Sequence, residues 1–412
     1  MTERTFSRRK LLASTISAAA AIAAGRGARG ADEPEAKPSA LTITNVETFL
    51  LKHKLPRAIG VSIALSEFRQ SLVIKISTDS GLIGWGETAD VGGAQGAIET
   101  KIKPALLGKN PLEHRKLWRA MWGANFGDGR AVGGVDVALN DLRGKALGKP
   151  IAELFGGRVR DKVLAYASGM NYTDGVKPEE QFPSEAAKLK ERGFKAMKMR
   201  TGRFERRRDL AVLAKVREAV GADIRLLTDA NGAFTIHEAV QFGKELEKLD
   251  FYCFEEPLPQ GLDYAGYDEL TRSLDIAIAG GEGLDSRSAA RDKIVDRSFD
   301  IIQPDVVLCG GIGEALFIAD MARLYSIPCV PHCWSGAIGI AATLHTVSLI
   351  DPPTFNYTAE EPMLEFDTAE NPFREELAVS PLRLNDDGTV DVPTGPGLGI
   401  EIDEDVIKKY SV

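Results

Sequence analysis

Short apolar segments alternate with helix-patterned segments along the chain from about residue 159 onward. The apolar segments are VLAYAS, FKAMKMR, IRLLTDAN, FYCFEEPLP, IAIAGGE, FDIIQPDVV, IPCVPHCW and, with a weaker pattern, PMLEFD. Alternation of strands and helices predicts a parallel sheet, and seven or eight units in roughly 210 residues favour a closed α/β barrel over an open sheet. No GxGxxG motif follows the first of these strands, which argues against a dinucleotide-binding fold.

The residues before the barrel predict a smaller α+β unit. A first strand begins near Leu41, and a turn-rich loop separates it from the apolar runs SLVIKIST and GLIGWGET, which the turn residues DSG join into a hairpin. Helical periodicity then extends through GAIETKIKPALLG, LEHRKLWRAMW and GGVDVALNDLRGKALG. The pattern changes soon after the last helix, which places a domain boundary near residue 158.

The first 30 residues differ in charge from the rest of the chain. They carry six basic residues and one acidic residue, whereas the whole chain has a formal net charge of -8. SRRKLL precedes an Ala-rich apolar run too short to span a bilayer, which predicts a twin-arginine signal peptide over residues 1–30 and a linker over residues 31–40. A disordered basic tail is the alternative. We expect a periplasmic protein whose acidic mature form binds neither nucleic acid nor membranes.

Polar side chains end the apolar segments of the predicted barrel. From one segment to the next they lie 23 to 31 residues apart, which is close to the length of one strand–helix unit. Active sites of such barrels lie at the C-terminal ends of the strands, so the spacing predicts that these side chains share one rim. They are Lys198, Arg200, Asp229, Asn231, Glu255, Glu256, Glu282, Asp305 and His332.

Three carboxylates from consecutive strands, Asp229, Glu255 and Glu282, are expected to converge on this rim. Like charges this close are costly unless a cation neutralises them, and all-oxygen ligation favours Mg2+ over zinc. Taken singly, each carboxylate could instead cap the following helix or pair with a lysine. Their matched register in successive units favours a magnesium site.

His332 lies between apolar segments, and Asp305 ends the neighbouring predicted strand. A carboxylate beside an imidazole fixes its tautomer and raises its pKa, which makes a positioned general base. A buried histidine with a purely structural role is the alternative. The polar rim and the partner Asp305 favour the catalytic interpretation.

Together these motifs resemble the enolase superfamily and, within it, the mandelate racemase subgroup of the mandelate racemase/muconate-lactonizing enzymes. The likeness extends from about Leu41 to the C-terminus and includes GWGET, LLTDANGAF, FEEPLP, VPHCW and VPTGPGLGIEID. It implies a modified TIM barrel, (β/α)7β, over residues 159–366, and an α+β capping domain formed by residues 41–158 and completed by residues 367–412. It also implies one Mg2+ ion, a small-molecule carboxylate substrate and a homo-oligomer.

The resemblance also implies roles for the rim residues. Lys198 matches the first lysine of the family's Lys-x-Lys pair, and Glu365 matches a glutamate that hydrogen-bonds the substrate carboxylate. Arg200 and Asn231 are then expected to contact the substrate. The remaining correspondences are the metal ligands Asp229, Glu255 and Glu282 and the general-base dyad of His332 and Asp305.

Arg200 departs from the family pattern because it replaces the second lysine. Residues 198 and 200 point to the same side of a strand, so Arg200 still faces the site. An arginine stays protonated and is a poor second base, which counts against racemisation. We therefore expect dehydration of a sugar acid to a 2-keto-3-deoxy acid. The alternatives are a racemase or epimerase of a 2-hydroxy acid and a non-catalytic periplasmic protein that binds hydroxy acids.

Overall fold

The computed structural model describes residues 41–260, 264–354, 356 and 359–412. The predicted signal peptide and linker lie outside these residues. No helix in the described ranges is both long enough and apolar enough to cross a membrane. The strands are β1 (Ile43–Gly60), β2 (Leu65–Thr78), β3 (Ile83–Thr88), β4 (Lys162–Ser168), β5 (Tyr172–Thr173), β6 (Ala196–Arg200), β7 (Arg225–Asp229), β8 (Phe251–Glu255), β9 (Ala277–Gly280), β10 (Ile301–Ile302), β11 (Leu364–Asp367) and β12 (Thr389–Asp391). The helices are α1 (Ala94–Ala97), α2 (Lys103–Leu106), α3 (His114–Ala124), α4 (Gly129–Leu147), α5 (Ile151–Leu154), α6 (Pro178–Glu191), α7 (Arg206–Val220), α8 (Ile236–Lys248), α9 (Tyr267–Ser273), α10 (Arg287–Val295), α11 (Ile312–Leu324), α12 (Ala337–Val347), α13 (Pro372–Glu375) and α14 (Glu404–Tyr410), and a π-helical segment (Ile98–Ile102) joins α1 to α2.

The capping sheet has the strand order β3-β2-β1-β5 and is antiparallel. Its longest part is the hairpin of β1 and β2. The turn-rich loop predicted before SLVIKIST is wrong, because residues 51–60 and 65–70 extend this hairpin as strand. These residues lack a regular apolar alternation. In addition, Pro56, which cannot donate to a β-ladder, lies where the pairing is irregular between Lys54 and Ile59.

The barrel strands are parallel and follow the order β10-β9-β8-β7-β6-β4-β11. The structure confirms the expected class, a modified TIM barrel with an α+β capping domain. The predicted seventh strand, IPCVPHCW, is much shorter than expected and is reduced to a single bridge between Cys329 and Ile302. Pro328 and Pro331 flank this bridge, and neither can donate a backbone N–H to a ladder.

A layer of inward-facing side chains fills the barrel, with one residue from each strand position. The eight side chains form one contact cluster, and each is at most 5% exposed. Because every strand position contributes, the sheet closes on itself around a packed interior. The layer consists of Tyr166, Ala196, Leu227, Cys253, Ala279, Ile301, Val330 and Met363.

Helix α12 carries a buried histidine, His345. Its Nε2 lies 3.1 Å from the carbonyl oxygen of Leu398, and its Nδ1 has no hydrogen-bond partner within the described part of the chain. Burial lowers the pKa of His345 from 6.5 to about 4. The unfolded chain therefore binds this proton more readily, so the free energy of unfolding falls as the pH falls through this interval.

We expect this titration to remove about 2 kcal/mol from the free energy of unfolding between pH 7 and pH 5. His345→Gln keeps a donor for the Leu398 carbonyl but does not titrate. The free energy of unfolding of this variant should therefore fall by about 2 kcal/mol less than that of the wild type between pH 7 and pH 5. Urea unfolding at the two pH values measures both proteins. Equal pH dependence in wild type and variant would contradict a buried neutral histidine.

Candidate active site

The polar rim residues lie one step above the apolar layer of the barrel. Side chains two residues apart on a strand point to the same side, so the residue two positions after each layer member also faces the interior. This rule generates a second layer that is almost entirely polar. Its members are Ser168, Lys198, Asp229, Glu255, Gly281, Gln303, His332 and Glu365.

Lys198 lies at the centre of this second layer. Its Nζ is 2.7 Å from Glu255 Oε1, 2.7 Å from Glu365 Oε1 and 4.0 Å from Asp229 Oδ2. Burial alone would lower the pKa of Lys198, but these three carboxylates outweigh it and raise the pKa above its ordinary value. Lys198 is therefore a fixed ammonium group that can stabilise negative charge, and it is a poor proton acceptor.

Arg200 lies beside Lys198 and is paired with Asp229. The Arg200 guanidinium donates to Asp229 Oδ2 through Nη1 and to Asn171 Oδ1 through Nε, the latter at 3.1 Å. Asn231 donates its backbone N–H to Asp229 Oδ1 at 2.8 Å and its side-chain amide to Oδ2 at 3.0 Å. In this structure Arg200 and Asn231, both predicted to contact the substrate, hold the Asp229 carboxylate.

His332 and Asp305 form the predicted hydrogen-bonded pair. His332 Nδ1 lies 2.7 Å from Asp305 Oδ2, and Asp305 Oδ1 accepts the backbone N–H of Val307 at 2.8 Å. The other ring nitrogen, Nε2, faces Glu282 Oε2 at 3.3 Å and Glu365 Oε2 at 3.9 Å. Burial opposes the charged imidazole, but Glu282, Glu365 and Asp305 raise the pKa of His332 well above its ordinary value. The pair fixes Nδ1 on Asp305 and leaves Nε2 directed into the site.

The three predicted metal ligands share the rim, and a basic side chain contacts each of them. Among the described residues, no three His, Cys, Asp or Glu side chains are at metal-ligand spacing. Asp229 is held by Arg200 and Glu255 by Lys198, while Glu282 lies against His332. Burial, opposed by Lys198 and reinforced by neighbouring carboxylates, raises the pKa of Glu255 to about 7.

This donor set fits a hard divalent cation in its chemistry. All the donor atoms are carboxylate oxygens, and their crowding in a buried site is the situation that a bound cation relieves. An ion between Asp229 and Glu255 would compete with Arg200 and Lys198 for those oxygens. The ligand assignment remains a prediction.

Several further residues reach the site from places that the strand register does not indicate. Ser62, at the tip of the capping hairpin, donates to the Thr201 carbonyl at the barrel mouth. A cavity of about 240 Å3 lies between the hairpin and the barrel loops, lined in part by Arg69, Asn171 and Trp334. The Trp334 ring lies 4.4 Å from the Arg69 guanidinium carbon and 5.1 Å from that of Arg200.

Two family models cover most of the chain. The mandelate racemase/muconate lactonizing enzyme N-terminal domain matches residues 45–156, and the enolase C-terminal domain-like model matches residues 181–406. The chain belongs to the mandelate racemase/muconate lactonizing enzyme family of the enolase superfamily. This enolase-superfamily enzyme therefore carries the capping and barrel domains of its family, as the sequence motifs predicted.

Named relatives cover most of the chain. D-galactarolactone cycloisomerase of Agrobacterium fabrum is 35% identical over 377 residues, which are 90% of this chain and 99% of that protein. Arabinonate dehydratase of Saccharolobus solfataricus is 34% identical and covers 82% of this chain and 89% of its own length. Among solved structures, 3,6-anhydro-D-galactonate cycloisomerase from Zobellia galactanivorans superposes with a TM-score of 0.79 at 32% identity, over 90% of this chain and 99% of its own.

Proposed function

We propose that this enolase-superfamily enzyme removes the proton α to the carboxylate of a sugar acid and expels the β-hydroxyl as water, which gives a 2-keto-3-deoxy acid. The observation that carries the proposal is the hydrogen bond between His332 Nδ1 and Asp305 Oδ2, which are 2.7 Å apart. The two cations in the same site, Lys198 and Arg200, have raised pKa values and stay charged. Of the three groups, only the His332 imidazole has an ordinary pKa near neutrality, although the carboxylates around it raise that pKa as well. One such base and two permanent cations suit an elimination better than a two-base racemisation. The similarity to arabinonate dehydratase supports the same reaction class.

The proposed reaction uses His332 twice. The substrate's α C–H bond breaks, and its proton moves to His332 Nε2 while Asp305 keeps Nδ1 protonated and the ring oriented. The Lys198 ammonium group stabilises the negative charge that develops on the carboxylate oxygens. The β C–O bond then breaks, the hydroxyl takes the proton from His332 and leaves as water, and the resulting enol tautomerises to the keto acid.

We further propose Mg2+ as the cofactor, held by Asp229, Glu255 and Glu282. A bound divalent ion supplies charge neutralisation to the carboxylate oxygens, and the superfamily is known to pair a lysine or histidine base with magnesium. The crowding of buried carboxylates around Glu255 supports this assignment, because burial and these neighbours raise the pKa of Glu255.

A second candidate reaction is the opening of a sugar-acid ring. The similarity to D-galactarolactone cycloisomerase, which extends over nearly all of that relative, favours it. The proton transfer to His332 is the same, but the expelled β-oxygen belongs to the substrate's own ring, so that no water is released. The indole of Trp334, with Arg69 and Asn171, offers an apolar face and polar donors that suit a sugar ring or chain.

The deciding experiment incubates the enzyme with Mg2+ and a panel of sugar acids, their lactones and 2-hydroxy acids in deuterated solvent. We expect α-proton exchange and a 2-keto-3-deoxy acid from an open-chain sugar acid. Keto acid from lactones alone would favour the ring-opening reaction, and exchange with inversion but without keto acid would establish a racemase or epimerase. Saturable binding of a hydroxy acid without exchange would establish a binding protein.

We also propose that the protein is exported to the periplasm and, separately, that it forms a homo-oligomer. The twin-arginine motif and the Ala-rich run that follows it support export. Replacing Arg8 and Arg9 with Lys is expected to retain the full-length precursor in the cytoplasm, because a receptor reads this signal. Fractionation of cells measures the distribution, and normal export of the variant would contradict the proposal.

A further inference from the structure

A buried glutamate of the capping sheet, Glu87, contacts the loop that carries the proposed base. Glu87 is on β3 and is 2% exposed. Its Oε1 accepts the backbone N–H of Gly336 at 2.6 Å and the Ser71 hydroxyl at 2.7 Å. Its Oε2 accepts the backbone N–H of Gly339 at 2.8 Å. Both carboxylate oxygens are therefore used by hydrogen bonds.

These contacts place the acceptor oxygens of Glu87 at the start of helix α12. Gly336 is the N-cap residue of α12 and, as a glycine, has no side chain that could cap the helix. The first N–H groups of a helix lack intrahelical acceptors and favour an anion. Glu87 therefore caps a barrel helix from the capping domain, 249 residues away in the sequence.

The loop between His332 and α12 is held at both ends. At its start, His332 pairs with Asp305, and the backbone N–H of Cys333 donates to Glu365 Oε2 at 3.0 Å. At its end, Glu87 holds Gly336. Three residues separate His332 from Gly336, so a displacement at the capped end is transmitted over a short distance to the imidazole.

We infer that Glu87 is a positioning residue that fixes the His332 loop through its hydrogen bonds to the start of α12. The part of this inference that concerns catalysis rests on the proposed function. Because displacement of a base by a fraction of an ångström weakens proton transfer more than binding, loss of Glu87 should lower kcat more than it changes KM.

Glu87→Gln is the direct test, because it keeps the size of the side chain but replaces one acceptor oxygen with a donor that faces N–H groups. We expect kcat for α-proton exchange to fall by at least about tenfold, with KM within about threefold of wild type. Amide hydrogen exchange over residues 332–340 should become faster. Gly336→Ala disturbs the same contact from the other side, because its β-carbon would lie 2.8 Å from Glu87 Oε1 and also 2.9 Å from the carbonyl oxygen of Phe373. It should reproduce both effects.

Asp141 provides a matched control. It is fully buried on α4 and accepts the backbone N–H of Trp85 at 2.8 Å and of Leu398 at 2.9 Å, without a hydrogen bond to the His332 loop. Asp141→Asn should lower Tm as Glu87→Gln does, but should leave kcat within about twofold of wild type.

The inference is overturned if kcat of Glu87→Gln stays within about twofold of the Asp141→Asn value. If no substrate supports proton exchange even in wild type, the proposed function fails, and the amide exchange alone decides the inference. Unchanged protection of residues 332–340 in Glu87→Gln would then overturn it, and faster exchange confined to that segment would support it.

Discussion

His332→Asn should abolish α-proton exchange, with a loss of about 10³-fold or more in kcat. The reason is that the two other nitrogen groups of the site, Lys198 and Arg200, are held in their charged forms by surrounding carboxylates. Asparagine retains a polar side chain of smaller size, so the carboxylates should stay in place and bind Mg2+. Deuterium incorporation followed by mass spectrometry measures the exchange, and calorimetry measures the metal.

Arg200→Lys is the companion variant. It should retain detectable exchange, because the base is unchanged, and the loss of the planar donor group should weaken both the contact with Asp229 and substrate binding. It also restores the family's Lys-x-Lys pair, so some racemisation is an expected by-product. Wild-type exchange by His332→Asn would show that the one-base assignment is wrong and would make Lys198 the candidate base.

Glu255→Gln should weaken Mg2+ binding by about 100-fold or more, because the proposed site loses one of three anionic ligands. Activity at low magnesium should fall with it. The change in Tm with added Mg2+ reports binding without any substrate, since an ion that binds only the folded chain raises Tm.

Glu256→Gln is the matched control for this prediction. Glu256 is the next residue and is equally buried, but its side chain accepts a hydrogen bond from Gln260 instead of Lys198. The Mg2+ affinity of the Glu256→Gln variant should stay within about threefold of wild type. A wild-type magnesium response in Glu255→Gln, or an equal loss in both variants, would contradict the ligand assignment.

The barrel could be predicted because its signals are local. Each strand and each helix carries its own periodicity, and the length of one unit sets the spacing of the polar residues that end the strands. Two secondary-structure predictions were wrong, in segments where the local sequence pattern does not match the strand pairing in the structure. The far half of the β1–β2 hairpin lacks apolar alternation, a pattern that predicts a loop, but it forms strand. The segment IPCVPHCW is apolar but contains prolines that prevent ladder formation, and it forms a single bridge.

The residues that join the two domains could not be predicted in the same way. Ser62 and Glu87 meet partners 139 and 249 residues away, and these contacts depend on how the capping sheet packs against the barrel. No periodicity within one segment records that packing. Glu87 belongs to the motif GWGET, which contributes to the family resemblance, but the sequence alone does not indicate what its carboxylate contacts. Trp334 likewise belongs to the motif VPHCW, and the sequence gives no individual role to it or to Arg69, although both line the cavity beside the site.

The pairing of β4 with both β11 and β12 has a consequence for synthesis of the protein. β4 is the first barrel strand along the chain, yet β11 begins about 200 residues later and β12 later still. During translation, β4 therefore leaves the ribosome long before the strands that cover its exposed hydrogen-bonding groups. Until they arrive, the nascent chain presents an open strand edge that can pair with other chains. Chaperone dependence should therefore be greatest while residues 162–391 are being completed, and nonsense truncation before β11 should give aggregated product instead of a smaller folded barrel.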